Sequence, residues 1–458
     1  MSDIAETTAP DGDALPAATP AATSERIAAI DVLRGVAVLG ILLINIEDFG
    51  LLHAEKSAPG TEWVGAYLPD LSQGHLVLWT LSRALFEGKM RAVFSILFGS
   101  GVILLTSRLE RGGRAARSAD IYYRRTMWLL LIGMLHAYLL WEGDILYSYA
   151  LSGLFLFPFR NLGPRSLIAA GLFVLLLSVP RASLVALDRE NLRTQAAQAS
   201  AEEASGHKLS KRQEEARDEW ASITHEFEPD AAAMEEKLLA YREGYFRSLA
   251  RRAPLVMIAE SHDYYGWAFF DAVGMMLIGM GLLKSGVVTA GHSRRFYGTM
   301  ALAGFAVGLP INAALAYALY LKRFDPVAVA WWTAVYHPAR LVMALGHIGL
   351  VMLYVKSGWL GGIAKALGFA GRMALTNYLT TTLICTTLFN GYGFGLFGVL
   401  ARHQLYFVVI GVWCCELAFS RFWLSTFRFG PAEWAWRSLT YWRIQPLKLR
   451  ATKQVVRA

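Results

Sequence analysis

The feature that most limits this chain is a set of ten continuous apolar runs. They lie at 30–51, 90–107, 126–142, 145–160, 166–185, 265–284, 297–320, 339–356, 373–390 and 404–421. A helix needs about 20 predominantly apolar residues to cross a bilayer. The runs approach that length, and none alternates apolar with polar residues as a barrel strand does. In hydrocarbon every backbone amide must find its partner inside the protein, and a helix does this within one segment. The reading is an all-α polytopic transmembrane bundle of about ten spanning helices. Composition agrees, since 17% of the 458 residues are charged against about 25% in a typical soluble domain. A soluble enzyme and a disordered protein are excluded. The net charge of +8 suits basic inner loops better than a nucleic-acid partner. Cys385, Cys414 and Cys415 sit in apolar runs without metal-ligand spacing, so neither a disulfide framework nor a metal is expected.

The spread of charge divides the chain. Residues 186–263 hold 27 of the 80 Asp, Glu, Lys and Arg residues. That stretch reads as a helical extracytoplasmic insert. It separates an N-terminal transmembrane half (26–185) from a C-terminal transmembrane domain (264–446). The ends, 1–25 and 447–458, read as a disordered and a basic cytoplasmic tail. The first tail has no basic start or apolar core and so is not a signal peptide. Segments 75–89 and 241–252 mix apolar and charged residues as interfacial helices do.

Orientation follows from Lys and Arg in the short loops. Arg108, Arg111, Arg114, Arg117, Arg124 and Arg125 fall between the second and third runs, Arg160 and Arg165 after the fourth, and Lys284, Arg294 and Arg295 after the sixth. Alternate loops are poorer in cations. The consistent solution is a multi-pass protein of the bacterial inner (plasma) membrane with both termini cytoplasmic. The insert then lies outside, because long loops translocate regardless of charge.

Ionisable groups at membrane depth are expensive and are functional candidates by default. Asp31 and Arg34 share one face of the first helix, where a structural ion pair competes with a role for Arg34 on an anionic phosphate. Asn45, Glu47 and Asp48 end that helix, with His53 just beyond. Glu87, Lys89 and Arg91 surround Gly88, and three charges in five residues exceed what interfacial anchoring needs. His136 lies in an apolar helix with Glu142 nearby and Asp144 at i+8. A neutral imidazole oriented by a carboxylate is what a general base requires. Thr376, Asn377 and Tyr378 are consecutive and cannot all face lipid, so they serve interhelical hydrogen bonds or a substrate.

Five segments carry a resemblance. They are Asp31-Val-Leu-Arg-Gly35, Glu87 to Gly101, Leu135-His136 with Gly143-Asp144-Ile-Leu-Tyr-Ser-Tyr-Ala-Leu151, Gly371-Arg-Met-Ala-Leu-Thr-Asn-Tyr378, and Gly430-Pro-Ala-Glu-Trp-Ala-Trp-Arg-Ser-Leu-Thr-Tyr441. As an ordered set over about 26–446 they resemble the YeiB-like bacterial membrane proteins, which end in a domain of unknown function. The N-terminal half is similar to the transmembrane acyltransferase superfamily, which includes heparan-alpha-glucosaminide N-acetyltransferase. That resemblance implies transfer of an acyl group from cytoplasmic acyl-CoA to an acceptor on the far side. His53, His75 and His136 are the candidates for the matching catalytic histidine.

The expected mechanism is then acyl transfer. Arg34, Arg124 and Arg125 would meet the acyl-CoA phosphates. His136, oriented by Asp144 or Glu142, would deprotonate the acceptor, with Lys89, Asn45 or Tyr378 polarising the thioester carbonyl. Asp48, Glu87, Arg91, Asn377 and Tyr378 would line the substrate site. The partners are the lipid bilayer, a small-molecule or envelope glycan or lipid acceptor, and as a further option a second copy forming a homodimer. The alternatives are a transporter or exporter of a small metabolite using the same polar core, and a structural or sensory protein acting through the insert.

Overall fold

A computed structural model describes residues 28–51, 73–113, 115–227 and 231–449. The expected tail over 1–25, His53 and the last nine residues lie outside the described residues. Within them the regular structure is all helical, and pairing is limited to one isolated bridge between Phe427 and Lys448. The helices in chain order are α1 (Ala28–Gly50), α2 (Gln73–Leu85), α3 (Lys89–Arg111), α4 (Ser118–Leu139), α5 (Leu146–Gly153), α6 (Pro164–Leu176), α7 (Ser178–Ala204), α8 (Lys211–Phe227), α9 (Ala231–Tyr241) and α10 (Tyr245–Ile258). A π-helical stretch over 259–268 leads into α11 (Phe269–Lys284). Then come α12 (Arg294–Leu321), α13 (Pro326–Ser357), α14 (Gly361–Arg372), α15 (Ala374–Phe389), α16 (Arg402–Thr426) and α17 (Pro431–Thr440).

Among the described residues seven helical stretches are long and apolar enough to cross a membrane, and together they make this a multi-pass membrane protein. They are 28–50, 76–111, 164–204, 245–284, 294–321, 326–357 and 402–426. Three of the ten expected runs are not among them: 126–142 falls largely in α4, 373–390 in the 16 residues of α15, and 145–160 is broken. The last folds as the eight residues of α5 and a short 3-10 turn over 157–161. At 1.5 Å per residue α5 is about 12 Å long, well under a bilayer core.

Helix contacts are made where small residues let backbones approach, as membrane packing requires. A Cβ at Gly35 of α1 would fall 2.1 Å from the Leu367 carbonyl, and one at Gly371 would fall 1.8 Å from the Asp31 carbonyl. The Asp-Val-Leu-Arg-Gly and Gly-Arg-Met-Ala-Leu segments are thus two sides of one contact between α1 and α14. Gly304 and Gly346 bring α12 and α13 together antiparallel in the same way. Glu433 of α17 caps the start of α15. Its carboxylate accepts from the amides of Leu375 at 2.7 Å and Thr376 at 3.2 Å and from the Thr376 hydroxyl at 2.6 Å.

One end of the bundle is basic. Lys284 donates to the carbonyls of Arg160 and Leu162 at 2.7 Å, Arg160 pairs with Glu110 at 3.2 Å, and Arg294 donates to the Lys356 carbonyl at 2.7 Å. The opposite end carries the outer parts of α7 to α10 and the 391–401 loop, whose Gly398 amide reaches the Gly50 carbonyl at 2.9 Å.

Candidate functional site

The turn after α4 folds the chain back on itself. It places Asp144 beside His136, with 2.8 Å between Asp144 Oδ1 and His136 Nδ1. The other carboxylate oxygen accepts from the Tyr147 amide at 2.7 Å, which fixes the group at the start of α5. His136 Nε2 lies 3.0 Å from Thr382 Oγ1 on α15. Tyr378, one turn earlier on α15, accepts from the Ile145 amide at 3.2 Å and reaches Asp144 at 3.5 Å. His136 is only 2% exposed. The constellation has the form of an oriented base, a carboxylate on one imidazole nitrogen and a hydroxyl on the other.

A second polar centre lies at the break between α2 and α3. Gly88 there has φ +69°, which an L side chain rarely adopts. A Cβ on Gly88 would fall 1.9 Å from the Tyr336 hydroxyl and 2.7 Å from Arg340 Cδ. Glycine therefore both turns the chain and lets α13 approach. The next turn begins α3 with Lys89, which is 1% exposed and donates to the Arg83 carbonyl at 2.8 Å. Arg91 is half-buried and lies over the Trp267 ring at 5.3 Å. Arg340, 0% exposed, pairs with Asp271 of α11, and Asp271 also meets His337 at 3.3 Å. Glu87 pairs with Arg83 at 2.5 Å, and Glu47 lies between Arg402 at 2.5 Å and Arg83 at 3.6 Å. Met90 packs on Gly40, where a Cβ would fall 2.7 Å from Met90 Cγ. Gly40 is about 18 Å along α1 from Ala28 and about 15 Å from Gly50. The start of α3 thus enters the bundle near mid-depth.

Tyr149 joins the two centres. It follows Asp144 by five residues, and its hydroxyl lies 2.8 Å from the Arg91 carbonyl and 2.7 Å from Ser95 Oγ. The π-helical stretch packs alongside and supplies Trp267 above Arg91 and His337, and Tyr264, 3.0 Å from Ser152. Such stretches often mark functional sites.

Residues 241–252 cover the bundle at the end opposite the basic one, above His136. Tyr241 stacks on Phe397 at 3.7 Å and donates to Glu142 at 3.1 Å. Burial, and then the Glu142 carboxylate, push its hydroxyl up to about 12, so it stays a donor. Arg252 is 2% exposed, pairs with Glu142 at 3.4 Å and donates to the Tyr138 carbonyl at 3.2 Å. A small cleft remains between Asp48, Trp141, Glu142, Arg251, Thr386 and Asn390. Thr386 is one turn beyond Thr382, so the cleft opens just outside the dyad. The 241–252 segment, expected at the interface, is docked on the protein here. Segment 75–89 is likewise packed inward, with Trp79 2% and Ser82 4% exposed.

The remaining expected residues fall elsewhere. Arg34 pairs with Asp31 at 3.1 Å. Arg124 pairs with Asp120 and donates to the Thr440 carbonyl at 3.2 Å, while Arg125 lies over the Trp436 ring at 3.6 Å. Asn377 faces α16, donating to Ser420 at 3.1 Å and to the Ala370 carbonyl at 3.2 Å. Asn45 is half-buried a turn from Asp48. The three polar residues of α15 therefore point three ways, Thr376 to Glu433, Asn377 to Ser420 and Tyr378 to Asp144.

Arg340, Asp271, His337 and Trp267 were not found from the sequence. The signal available was an Asp in the apolar run at 265–284 and an Arg at the second position of the run at 339–356. The helix in fact starts at Pro326 and passes through Pro338.

Comparison with known proteins gives the relatives. Residues 282–443 match the family described as "Protein of unknown function (DUF418)". The chain is 33% identical to the uncharacterized protein YeiB of Escherichia coli, over 91% of this chain and 96% of that one. It is 30% identical to the uncharacterized protein YxaH of Bacillus subtilis, over 93% and 97%. An uncharacterized 39.9 kDa protein of Bacillus acidopullulyticus is 25% identical, over 94% and 98%. No solved structure matches.

Proposed function

The chain belongs to the YeiB-like family of DUF418 membrane proteins, and from that premise we propose that it is a membrane-embedded acyltransferase with His136 as its general base. The observation that carries this reading is the 2.8 Å contact between His136 Nδ1 and Asp144. It holds the proton on Nδ1 and leaves Nε2 as the basic nitrogen. An acceptor hydroxyl or amine entering through the cleft would displace Thr382 from Nε2. Thr382 keeps the Tyr378 carbonyl as its acceptor at 3.3 Å and is not stranded. The acceptor's proton passes to Nε2 as its oxygen or nitrogen bonds the thioester carbonyl carbon. The carbon–sulfur bond then breaks, and the thiolate of CoA takes the proton.

The donor is acyl-CoA, and the acceptor is an envelope glycan, a lipid headgroup or a small molecule. Exposed Arg117, and Arg111 beyond its Nε bond to the Ser107 carbonyl, would meet CoA phosphates, since Arg34, Arg124 and Arg125 already hold protein partners. We place the protein in the bacterial inner membrane with that end in the cytoplasm. A second reading is a metabolite transporter. The broken helix at 86–88 and the π-helical stretch at 259–268 favour it, because interrupted helices build transporter sites at mid-depth.

The test is release of CoA thiol from a panel of acyl-CoAs by the protein in nanodiscs with an envelope extract. Extract-dependent release that His136→Ala lacks is expected. No release, with solute flux into proteoliposomes and no covalent change to the solute, would put transport in its place.

A further inference from the structure

We propose that Lys89, Arg91 and Arg340, gathered at the first turn of α3, bind a phosphate group carried by a ligand within the bilayer. The proposal stands apart from acyl transfer, because binding needs no turnover.

Three observations carry it. The first is charge. Among the described residues, Glu87 pairs with Arg83 and Glu47 with Arg83 and Arg402, which leaves Lys89, Arg91 and Arg340 facing one further carboxylate, Asp271. The other polar groups facing these three cations include Tyr336, Tyr149, His337 and His347, and the two histidines spend Nδ1 on Asp271 and on the Met343 carbonyl. Among the described residues these three cations therefore carry two positive charges in excess near mid-depth, where uncompensated charge is expensive. A phosphate monoester carries about −1.5 to −2 at pH 7 and matches that excess, whereas a carboxylate would cancel half of it.

The second is unmet hydrogen bonding. Arg340 is 0% exposed, and beyond its ion pair with Asp271 its Nε and Nη1 have no acceptor. Buried Nε of Arg91 has none either, and Arg91 meets the face of Trp267 rather than a carboxylate. Guanidinium groups present paired N–H donors whose fork fits phosphate oxygens. Lys89 and Arg340 both lie over the Tyr336 ring, at 5.9 and 5.1 Å, so their charges converge on one place.

The third is the helix break. Gly88 at the head of α3 has no side chain to cap it, the Lys89 amide donates to the Phe86 carbonyl at 3.0 Å, and the next amides of the first turn are those of Met90 and Arg91. An uncapped helix start inside a membrane directs amide hydrogens and the positive end of the helix dipole at a ligand. With Gly88 in the left-handed region, the end of α2 and the start of α3 open toward α13 together.

Two sources supply this chemistry, a lipid headgroup and a soluble phosphate ester. The full chain in phosphatidylcholine nanodiscs distinguishes them by its melting temperature. One arm adds inorganic phosphate at fixed ionic strength, and the other adds phosphatidate to the disc. A saturable rise in either arm is expected. A rise with phosphatidate alone assigns the site to a lipid headgroup, and a rise with phosphate alone assigns it to a soluble ligand. Arg91→Gln should weaken the response about tenfold or more, the loss of one charge-assisted bond. Arg91→Lys should restore part of it. Arg340→Gln should abolish it, and if that variant does not fold, Arg91→Gln and Lys89→Gln decide. No rise in either arm, a rise that chloride reproduces, or a response unchanged in Arg91→Gln and Lys89→Gln would overturn the proposal.

Discussion

One carboxylate decides what His136 is able to do. Asp144 accepts from Nδ1 through one oxygen and from the Tyr147 amide through the other, at 2.8 and 2.7 Å. An asparagine keeps the volume and one acceptor, but turns an amide N–H toward either the imidazole or the Tyr147 amide. Toward the imidazole it drives the proton to Nε2 and removes the base. Asp144→Asn is expected to lower CoA release by roughly 10²- to 10⁴-fold, the range of general-base loss, while the protein still extracts and melts as a folded bundle. Equal turnover in Asp144→Asn and the parent would separate the dyad from the chemistry. At this scale the sequence told part of the story. The i+8 spacing of His136 and Asp144 pointed to their pairing, because a helix end and a tight turn bring such residues together. Arg340 and Asp271 did not show, because their pairing joins two helices 69 residues apart in sequence, and only packing brings them into register.

The same limit holds for whole helices, where apolar length was legible and interruption only in part. The runs at 30–51 and 404–421 became α1 and α16 with little change. The run at 145–160 did not become one helix, since Asp144 starts α5 late and Pro158 sits in the short turn that ends it. The break at 86–88 shows as the change from the mixed segment 75–89 to the run starting at 90, whereas the π-helical stretch, with Tyr264 against Ser152, is encoded by no local periodicity. What the quoted segments do hold is the contact between helices. Gly371 faces the Asp31 carbonyl so closely that an added methyl would lie 1.8 Å from it. Gly371→Ala must therefore push α14 from α1, a backbone contact with no flexible side chain to yield. The expected loss is about 1–3 kcal/mol, the usual cost of overpacking, read as a lower melting temperature in detergent. Gly163→Ala, where nothing lies within 4 Å of the added carbon, is the matched control and should melt like the parent.

Across the whole molecule the arrangement rests on which end faces the cytoplasm. Arg111, Arg160, Lys284, Arg294 and Lys356 gather at one end of the bundle, although they come from four separate parts of the chain. Positive loops are retained in the cytoplasm, so this end should face inward and the tip between α7 and α8 should face out. The tip is itself rich in Arg and Lys, with Arg193, Lys208, Lys211, Arg212 and Arg217, so a simple charge count at that end opposes the assignment. Length decides between them, because a long segment translocates largely regardless of its charge while short loops do not. Two substitutions read the outcome once exposed Cys414 and Cys415 are replaced by serine. Lys208→Cys sits on the exposed tip and Gly163→Cys in the exposed loop at the basic end. In spheroplasts a membrane-impermeant maleimide should label the first at once and the second only after lysis. The reverse pattern would put the basic end outside, and acyl-CoA, confined to the cytoplasm, would then meet the His136 cleft directly instead of reaching it through the bundle. Transfer across the membrane would give way to transfer on one face, with the same base and a different acceptor.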